Sequence, residues 1–457
     1  MEDNTTDVII IGAGLTGLTL AFYLKRKGIK FLLLEQNDRT GGVINSISEQ
    51  GFTYETGPST GVLSTPEIVE LFEDLNTNCI LETANPLSKK RYILKNGSWH
   101  ALPSSLITAI TTPLFSMYDK LRILGEPFRK AGKKENETIA ELVVRRLGKS
   151  YLDYAVDPFI SGIYAGDPGK LVTKFALPKL YALEQNYGSF IRGAIKKHKE
   201  PKSLFQKKAT GEVFSVKGGL NSLIAALNQG IGTDHILTGC KDTELIPNGN
   251  KFLVTYTNRQ GEKVELNSSK VITTVGGYAL PQLLPFIPGK TMIPISTLKY
   301  AGVVQVVAGY KTWCGKSLDA FGGLIPSKEK RAVLGILFPS SIFADRTPTN
   351  GALLSVFIGG VKNPGIMEKT DAEIETLVLK EIRETLGTNA PTDLFRIFRY
   401  PLAIPQYDES SEEKLASINQ IQIDYPGLIL AGNIRDGIGM SDRVKQARKL
   451  AYLVINS

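Results

Sequence analysis

Cysteine and histidine are scarce in this sequence, with three of each among 457 residues. The cysteines lie far apart and lack the paired spacing of a metal site or a disulfide framework, so we expect reduced thiols at Cys79, Cys240 and Cys314. The histidines form neither a Ser/His/Asp constellation nor a metal-spaced cluster; they are His100, His198 and His235. The sequence therefore predicts no metal site and argues against hydrolysis by a catalytic triad.

Long hydrophobic runs are also missing. No stretch approaches the roughly 20 uninterrupted apolar residues that a transmembrane helix needs. The acidic start, Met1-Glu2-Asp3, runs directly into a strand and is unlike a secretory signal or a basic transit peptide. These absences predict a cytoplasmic protein. A length of 457 residues predicts two or three domains, because a single hydrophobic core rarely grows that large.

Positive charge is concentrated in one internal segment. The whole chain has a formal charge of +9, and residues 86–208 contain 23 Lys and Arg against 10 Asp and Glu, a net charge of +13. The remainder therefore carries +9 minus +13, which is −4. A basic face suits nucleic acid, anionic lipid or an acidic small molecule, and a merely solvated basic surface is the alternative. The basic segment lacks the interleaved aromatic residues of a nucleic-acid-binding module, so we predict no nucleic-acid partner.

What the sequence does contain is a strand, glycine turn, helix and strand at its start. Residues 7–11 and 31–34 are buried-strand patterns, and residues 15–27 have a helical pattern between them. Residues 12–17 fit G-x-G-x-x-G, and Glu35 closes the second strand about 20 residues later. The spacing predicts a dinucleotide site, because N–H groups at the helix start hold a pyrophosphate. The carboxylate of Glu35 can accept hydrogen bonds from a ribose diol and would repel a 2′-phosphate.

NAD and FAD both fit this motif, and two further glycine segments favour FAD. Residues 39–42 (RTGG) allow a second close backbone approach by a longer cofactor. Near the end of the chain, a strand at 428–431 leads through a glycine-containing turn into a closing helix, whose N-terminus suits a flavin or its phosphates. The predicted cofactor-binding residues are Gly12, Ala13, Gly14, Leu15, Thr16, Gly17, Glu35, Gln36, Arg39, Gly41, Gly42, Gly57, Pro58, Ser59, Thr60, Gly432, Asn433, Gly437, Ile438, Gly439 and Met440.

Between its two ends the chain changes character. Residues 86–208 are mainly helical in pattern, residues 235–274 and 295–360 are rich in strands, and Asp371–Leu386 is an amphipathic helix. Strands alternating with helices at both ends indicate a nucleotide-binding domain built from separate parts of the chain. The predicted fold class is α/β and α+β.

Several segments resemble a known family. The run from Glu35 to Gly42 (E-x-x-x-R-x-G-G) is similar to the amine-oxidase-like flavoprotein superfamily. Within it, residues 157–168 (DPFISGIYAGDP) resemble the signature of the protoporphyrinogen oxidases, especially the plant mitochondrial type. Other similar segments follow in the family's order at residues 90–92 (KRY), 321–329 (FGGLIPSKE), 334–338 (LGILF), 357–360 (FIGG) and 403–407 (AIPQY).

The resemblance implies three domains. They are a discontinuous Rossmann-like FAD-binding domain (1–85, 209–290 and 415–457), a helical, basic, membrane-associating domain (86–208) and a mixed-sheet substrate-binding domain (291–414). The resemblance also implies an activity, the six-electron oxidation of protoporphyrinogen IX to protoporphyrin IX in haem and porphyrin biosynthesis, with FAD as cofactor and O2 as acceptor.

Substrate-binding residues follow from the resemblance by position. Arg91 would pair with a propionate of the substrate, Leu324, Leu337 and Phe357 would sandwich the macrocycle, and Gly162 would lie against it on the flavin side. No catalytic side chain is expected, because a bound flavin accepts the hydride and the protein supplies position. Two segments depart from the family pattern. Asp408-Glu409-Ser410 stands where many members have Gly-His nearby, and Arg435-Asp436 is unusual in the closing turn.

The basic segment suggests where the protein works. Residues 104–118 (SSLITAITTPLFSMY) are apolar and uncharged, and a basic cluster follows at Lys120, Arg122, Arg129, Lys130, Lys133 and Lys134. This pattern suits peripheral association with anionic lipid, on the inner face of the cell membrane. The alternative is a buried helix beneath a basic surface. A second copy of the chain and a transient contact with ferrochelatase are further candidate partners.

Three other functions compete with the first. The nearest is the oxidation of coproporphyrinogen III to coproporphyrin III, which requires cations for four propionates. A more distant one is an amine oxidase or a carotenoid desaturase of the same superfamily, against which residues 157–168 argue. The last is a flavin-binding protein without turnover.

Overall fold

A computed structural model describes residues 5–132 and 134–456 of the chain. The acidic start at Met1-Glu2-Asp3 and Lys133 of the basic cluster lie outside these residues. The described chain forms two seven-stranded sheets, two smaller sheets and many helices. This mixed architecture confirms the predicted fold class. Within the described residues, no helix has both the length and the apolar character needed to cross a membrane.

The first sheet has a parallel core of the nucleotide-binding kind. Its strands, numbered with all other elements in chain order, are β1 (Thr5–Ile11), β2 (Phe31–Glu35), β10 (Ile236–Thr238), β11 (Lys241–Asn248), β12 (Lys251–Thr257), β13 (Lys263–Thr273) and β19 (Leu428–Leu430). Strands β10, β2, β1, β13 and β19 lie parallel to their neighbours in that order. Strands β12 and β11 extend the sheet from β13 in antiparallel fashion.

Helices cover both faces of this sheet, because alternate residues of its central strand are apolar on both sides. Val8 and Ile10 pack under α1 (Leu15–Arg26), α2 (Pro66–Leu75), α12 (Asn221–Ile231) and α18 (Met440–Ile455). Ile9 and Ile11 pack under α13 (Leu280–Leu283), α14 (Gly289–Ser296) and α17 (Ser411–Asp424). Residues from the start, middle and end of the chain thus share two cores, as a discontinuous domain requires.

The second sheet is mixed. Its strands are β7 (Arg91–Lys95), β8 (Ser98–Ala101), β14 (Tyr300–Tyr310), β15 (Gly322–Leu324), β16 (Val333–Leu337), β17 (Ala352–Gly359) and β18 (Leu394–Pro405). The order is β18-β14-β17-β16-β15-β7-β8, and only the β15–β7 pair in it is parallel. Helix α16 (Asp371–Leu386) packs on one face, and α15 (Pro339–Ile342) lies beside β17. The predicted amphipathic helix at 371–386 is confirmed.

The helical pattern predicted from residue 86 onwards is wrong for residues 91–101. These residues form the β7–β8 hairpin, and β7 pairs with β15 of the second sheet. The signal for a hairpin is present at the turn, where Asn96 and Gly97 both have positive φ angles of 51° and 75°. An Asn-Gly pair between apolar residues is a strong hairpin indicator, and it outweighs the helical pattern of the surrounding segment. The domain boundaries given above remain predictions.

The smaller sheets and the helical segment complete the chain. The small strands are β3 (Ser46–Glu49), β4 (Phe52–Glu55), β5 (Gly61–Val62), β6 (Leu81–Thr83) and β9 (Val213–Val216), paired as β3–β4 and as β5–β9–β6. The helices between residues 104 and 208 are α3 (Leu106–Thr111), α4 (Met117–Leu124), α5 (Ile139–Arg146), α6 (Lys149–Tyr151), α7 (Asp157–Tyr164), α8 (Thr173–Ala176), α9 (Pro178–Tyr187), α10 (Phe190–Lys199) and α11 (Leu204–Lys207).

Candidate flavin and substrate site

The first glycine turn connects β1 to α1 in the tight form that the motif predicts. Gly12 has a φ of 104°, which a residue with a Cβ rarely adopts. A Cβ on Gly17 would lie 2.0 Å from the carbonyl oxygen of Gly12, so only glycine fits there. The N-cap residue, Gly14, has no side chain that could cap the first N–H groups of α1. The N–H of Leu18 donates to its carbonyl at 2.9 Å, as the first hydrogen bond of the helix. The N–H groups of residues 15–17 therefore point out of the helix start, which is how a helix holds a pyrophosphate.

Glu35 is buried and held against this turn. Its Oε2 accepts a hydrogen bond from the N–H of Ala13 at 2.8 Å. Its Oε1 accepts from the N–H and from the side-chain Nδ2 of Asn37, at 3.0 and 2.7 Å. Oε2 accepts only one of these hydrogen bonds and can accept a second, so a ribose hydroxyl can still be recognised. Asn37 was not among the predicted cofactor-binding residues. The feature of the sequence that could have indicated it is its side-chain amide, two residues after Glu35, the acidic residue of the motif.

The predicted second glycine segment lies directly against the first turn. The N–H of Gly41 donates to the carbonyl of Ala13 at 2.7 Å, and a Cβ on Gly42 would approach the Cα of Gly14 to 3.4 Å. Arg39 stabilises this segment, because its Nη2 donates to the carbonyl of Gly42 at 2.7 Å. The structure therefore brings these residues together, and it shows Arg39 as a brace for the backbone.

The closing turn, residues 432–439, meets the first turn through a residue that the sequence reading missed. Thr274 follows β13, and its Oγ1 donates to the carbonyl of Gly12 at 2.9 Å. A Cβ on Gly432 would lie 2.7 Å from the carbonyl oxygen of Thr274. Gly437 has a φ of 95°, and Met440 begins α18 immediately afterwards. The two glycine turns and Thr274 therefore form one continuous backbone surface.

Residues 55–60 connect this surface to the second sheet. A Cβ on Gly57 would lie 2.0 Å from the carbonyl oxygen of Val43, so this crossing also requires glycine. The Oγ of Ser59 is buried and has no hydrogen-bond partner among the described residues. The helix-start N–H groups, which have no acceptor within the helix, and an orphaned buried hydroxyl both fit the phosphates and polar ring edge of FAD. The predicted residues Pro58 and Thr60 lie in the same segment.

Polar side chains from the second sheet hold the backbone of residues 55 and 56, and these side chains were not predicted as part of the site. Gln305 of β14 is buried, and its Nε2 donates to the carbonyl of Glu55 at 2.9 Å. The hydroxyl of Tyr400 of β18 donates to the carbonyl of Thr56. Burial raises the pKa of the Glu55 carboxyl, opposed by hydrogen bonds from Ser46 and the N–H of residue 220. A lone glutamine in the apolar run 303–307 was a usable signal for Gln305.

One face of the second sheet carries the predicted macrocycle residues. Leu324 is opposite Gly335, and Gly335 is opposite Phe357, so both side chains stand on the same face. Leu337 is opposite Gly322 on that face as well. The other face, with Ile336 and Val356, packs under α16. Three predicted residues from three strands therefore line one surface, whose centre is flat because two of its positions are glycine.

Arg91 stands at the edge of this surface. It lies opposite Gly322 in the parallel β7–β15 pair, which places it on the face of Leu324 and Leu337. Its guanidinium lies 5.2 Å from the centre of the Phe321 ring, so the ring supports its orientation by a cation–π contact. Arg91 is exposed, and its fork-shaped set of N–H donors matches the geometry of a carboxylate.

Gly162 comes from the helical segment and closes over the same surface. A Cβ on Gly162 would lie 2.6 Å from Cδ2 of Leu324, so a larger residue there would displace the Leu324 side chain from its present position. A π-helical stretch at Leu152–Val156 joins α6 and α7 and sets the approach of Gly162. All five predicted substrate residues are thus found around one surface between α7 and the second sheet.

Two open surface hollows lie elsewhere and suit a macrocycle poorly. One, of about 570 Å³, runs along α5 between Lys134 and Arg145. The other, of about 440 Å³, is lined largely by charged side chains, including Asp153, Lys328 and Lys362. The apolar, glycine-floored face of the second sheet is the better candidate for a flat hydrophobic ligand.

Comparison with known proteins defines the class. The profile of the family "Flavin containing amine oxidoreductase" matches residues 15–454, so the chain belongs to this family. The protein is therefore an FAD-dependent oxidoreductase, and the cofactor predicted from the glycine turns is confirmed.

Individual relatives narrow the resemblance. Protoporphyrinogen oxidase 2 of Arabidopsis thaliana, chloroplastic/mitochondrial, is 30% identical, with 98% of this chain and 94% of that protein covered. Coproporphyrinogen III oxidase of Bacillus subtilis is 24% identical, with 98% and 97% covered. A solved structure from Exiguobacterium sp. 255-15, provisionally assigned as a protoporphyrinogen oxidase, shares the fold with a TM-score of 0.81 at 22% identity, covering 99% of both chains. The resemblance predicted from short segments is confirmed.

Proposed function

We propose that the protein oxidises protoporphyrinogen IX to protoporphyrin IX, with FAD as cofactor and O2 as the electron acceptor. The observation that carries this proposal is the face of the second sheet, where apolar side chains surround a flat centre and one guanidinium stands at the edge. A porphyrinogen is a broad apolar ring with carboxylates on its rim. A binding site for such a ligand needs apolar side chains against the ring and at least one cation for its carboxylates.

Each residue then has a definite task. Arg91 pairs with a propionate and fixes the orientation of the ring. Leu324, Leu337 and Phe357 pack on the macrocycle and exclude water from it, while Gly162 allows α7 to come close. When bound, FAD supplies the redox chemistry by accepting hydride from the substrate. The residues of this chain bind, orient and shield.

The basic side chains of strand β7 are more consistent with two propionates than with four. On strand β7, the basic side chains on the substrate face are Arg91 and Lys95, four residues apart. The Nζ of Lys95 already donates to the carbonyls of Pro113 and Leu114, at 2.6 and 3.1 Å. Arg91 is therefore the better-placed cation of this strand for a carboxylate. Coproporphyrinogen III, with four propionates, remains the second candidate because the Bacillus subtilis relative acts on it by name.

A direct assay tests the proposal. Purified holoprotein mixed with protoporphyrinogen IX in air should develop porphyrin fluorescence and consume about three O2 per product, because six electrons leave in pairs. Coproporphyrinogen III should react with a kcat/KM at least about tenfold lower, a difference of roughly 1.4 kcal/mol. A reversed preference would establish the second candidate. A yellow protein inert toward both would reject porphyrinogen oxidation altogether.

Removing the guanidinium of Arg91 should affect binding more than turnover. In Arg91→Ala we expect KM for protoporphyrinogen IX to rise about tenfold or more with kcat nearly unchanged, because the lost contact exists in both the ground and the transition state. Steady-state kinetics measure both constants. The neighbouring Lys90→Ala is the control, since Lys90 pairs with Asp319 and should leave KM unchanged. An unchanged KM in Arg91→Ala would remove this residue from the site.

We also propose that the helical segment rests on an anionic membrane surface. Residues 104–118 were interpreted either as a membrane-associating segment or as a buried helix beneath a basic surface. The exposure of α3 and α4 supports membrane association. Leu106 is 84% exposed and Phe128 is 87% exposed. The other exposed apolar residues of this patch are Ile107, Ile110, Met117, Tyr118, Leu121 and Leu124. The Nζ of Lys120 donates to the carbonyls of Ile110 and Thr112, which ties the two helices together beside the basic cluster.

Polar substitutions in this patch should weaken lipid binding strongly. The triple variant Leu106→Ser, Ile107→Ser and Ile110→Ser should bind vesicles containing phosphatidylserine at least about tenfold more weakly, because each buried apolar side chain contributes roughly 1.5–3 kcal/mol. Cosedimentation with vesicles measures the partition. Ile423→Ser with Tyr452→Ser is the control, because these exposed residues lie on α17 and α18. Equal binding by all three proteins would contradict the proposal.

A further inference from the structure

Two buried polar side chains of α18 hold the closing turn from behind. Arg443 and Gln446 are three residues apart on one face of the helix, 8% and 5% exposed. The Oε1 of Gln446 accepts from the N–H of Gly432 at 2.9 Å and from Nη1 of Arg443 at 3.0 Å. The Nε2 of Gln446 donates to Oδ2 of Asp436 at 2.8 Å. The side chain of Gln446 therefore forms hydrogen bonds with both Gly432, at the start of the turn, and Asp436, its fifth residue.

Arg443 completes the grip. Its Nη2 donates to the carbonyl of Arg435 at 2.8 Å, next to Asp436. We refer to Asp436, Arg443 and Gln446 as the clamp. The amide of Gln446 and both Nη atoms of Arg443 are engaged, whereas Nε of Arg443 has no hydrogen-bond partner among the described residues. Hydrogen-bonded polar networks of this kind favour one conformation of the backbone around them.

The turn needs such support, because its backbone is unfavourable in isolation. Gly432, Asp436 and Gly437 have φ angles of 87°, 63° and 95°. Asp436 is not a glycine, so its left-handed conformation costs free energy that the surrounding contacts must offset. The hydrogen bond from Gln446 reaches this residue directly.

We propose that Gln446 and Arg443 are positioning residues that fix the closing turn in the shape that binds FAD. The proposal rests on the predicted flavin contact of residues 432–440 and is independent of which porphyrinogen is oxidised. Neither residue lies within the glycine motifs, and both act through the backbone that they hold. The arrangement also gives a structural role to Asp436, one of the two residues that depart from the family pattern in this turn, since its carboxylate accepts a hydrogen bond from Gln446. Arg435 takes part through its backbone carbonyl.

The first test removes the clamp and measures cofactor retention in the holoprotein. Gln446→Leu should release FAD at least tenfold faster than the wild type, and the increase in free-flavin fluorescence measures this rate. The substitution should also change the visible circular dichroism of the bound flavin. Gln422→Leu is the matched control. The Oε1 of Gln422 likewise accepts a backbone N–H, from Leu430 at 3.0 Å, but in β19 and not in the turn. Equal release from the two variants would overturn the proposal.

The second test asks for rescue, which a general loss of stability would not show. Gln446→Glu keeps the acceptor for Gly432 but places a carboxylate against that of Asp436, so FAD release should again be at least tenfold faster. Adding Asp436→Asn supplies an amide donor and should restore the release rate to within threefold of the wild type. Asp436→Asn alone should behave as the wild type, because asparagine tolerates positive φ and still accepts from Gln446. A double variant no better than Gln446→Glu would reject the clamp, whether or not Gln446→Leu folds.

Discussion

Gly17→Ala should give a protein without bound FAD. The new Cβ would lie 2.0 Å from the carbonyl oxygen of Gly12, a contact that real Cβ atoms do not make, and this oxygen belongs to the backbone of the turn and cannot rotate away as a side chain could. Helix α1 must then move away from β1, and the N–H groups at its start lose their alignment with the pyrophosphate. The ratio of flavin to protein absorbance after purification measures the effect, and we expect it to fall by at least about tenfold.

Gly14→Ala is the matched control for this result. A Cβ at Gly14 would meet no described protein atom within 4 Å. The variant should therefore unfold at the wild-type temperature, and a loss of FAD from it would report a clash with the cofactor alone. If Gly17→Ala retained FAD as the wild type does, the first turn would not be the pyrophosphate site.

Arg146→Met should weaken the helical segment more than any surface substitution there. Arg146 is fully buried; its Nη1 lies 3.1 Å from Oε1 of Glu126, and its Nε donates to Oε1 of Glu184 at 2.5 Å. Without the guanidinium, the buried carboxylate of Glu126 loses its ion-pair partner and that of Glu184 keeps Arg145 at 2.8 Å. Breaking a buried ion pair in this way typically costs about 3–5 kcal/mol. Glu126 also caps α10 by accepting from the N–H of Phe190 at 3.0 Å, so the damage should spread to that helix.

Urea unfolding followed by far-ultraviolet circular dichroism measures this loss. Lys197→Met, an exposed change on α10, should alter the free energy of unfolding by less than about 0.5 kcal/mol. A loss below about 1 kcal/mol in Arg146→Met would show that the buried ion cluster is dispensable, as some buried ion pairs are when apolar residues replace them.

How well the site could be predicted depended on how far apart its partners lie in the sequence. The first turn was predictable because residues 12–17 and Glu35 encode it within one short stretch, where Gly12 and Gly17 are required by the backbone conformation and by close packing. Thr274 and Gln305 were not, since their roles exist only after β13 and β14 have been placed beside the start of the chain. Such long-range hydrogen bonds leave at most a weak trace, a polar residue in an apolar strand.

The substrate face shows the same division. The resemblance supplied the identities of Leu324, Leu337 and Phe357, but only strand register shows that they share a face. The β7–β8 hairpin was mistaken for part of a helical segment because its pairing partner, β15, lies more than two hundred residues away. Local pattern describes short strands poorly when distant pairing decides them.

The joining of the two glycine turns at Thr274 also sets an order on biogenesis. Gly17 and Gly432 stand near opposite ends of the 457-residue chain. At a synthesis rate of roughly 5–20 residues per second, the second turn follows the first by about 20 to 80 s. A nascent chain therefore holds only half of its cofactor surface throughout translation. Flavin loading must be a late event, completed after α18 has left the ribosome and packed on α1.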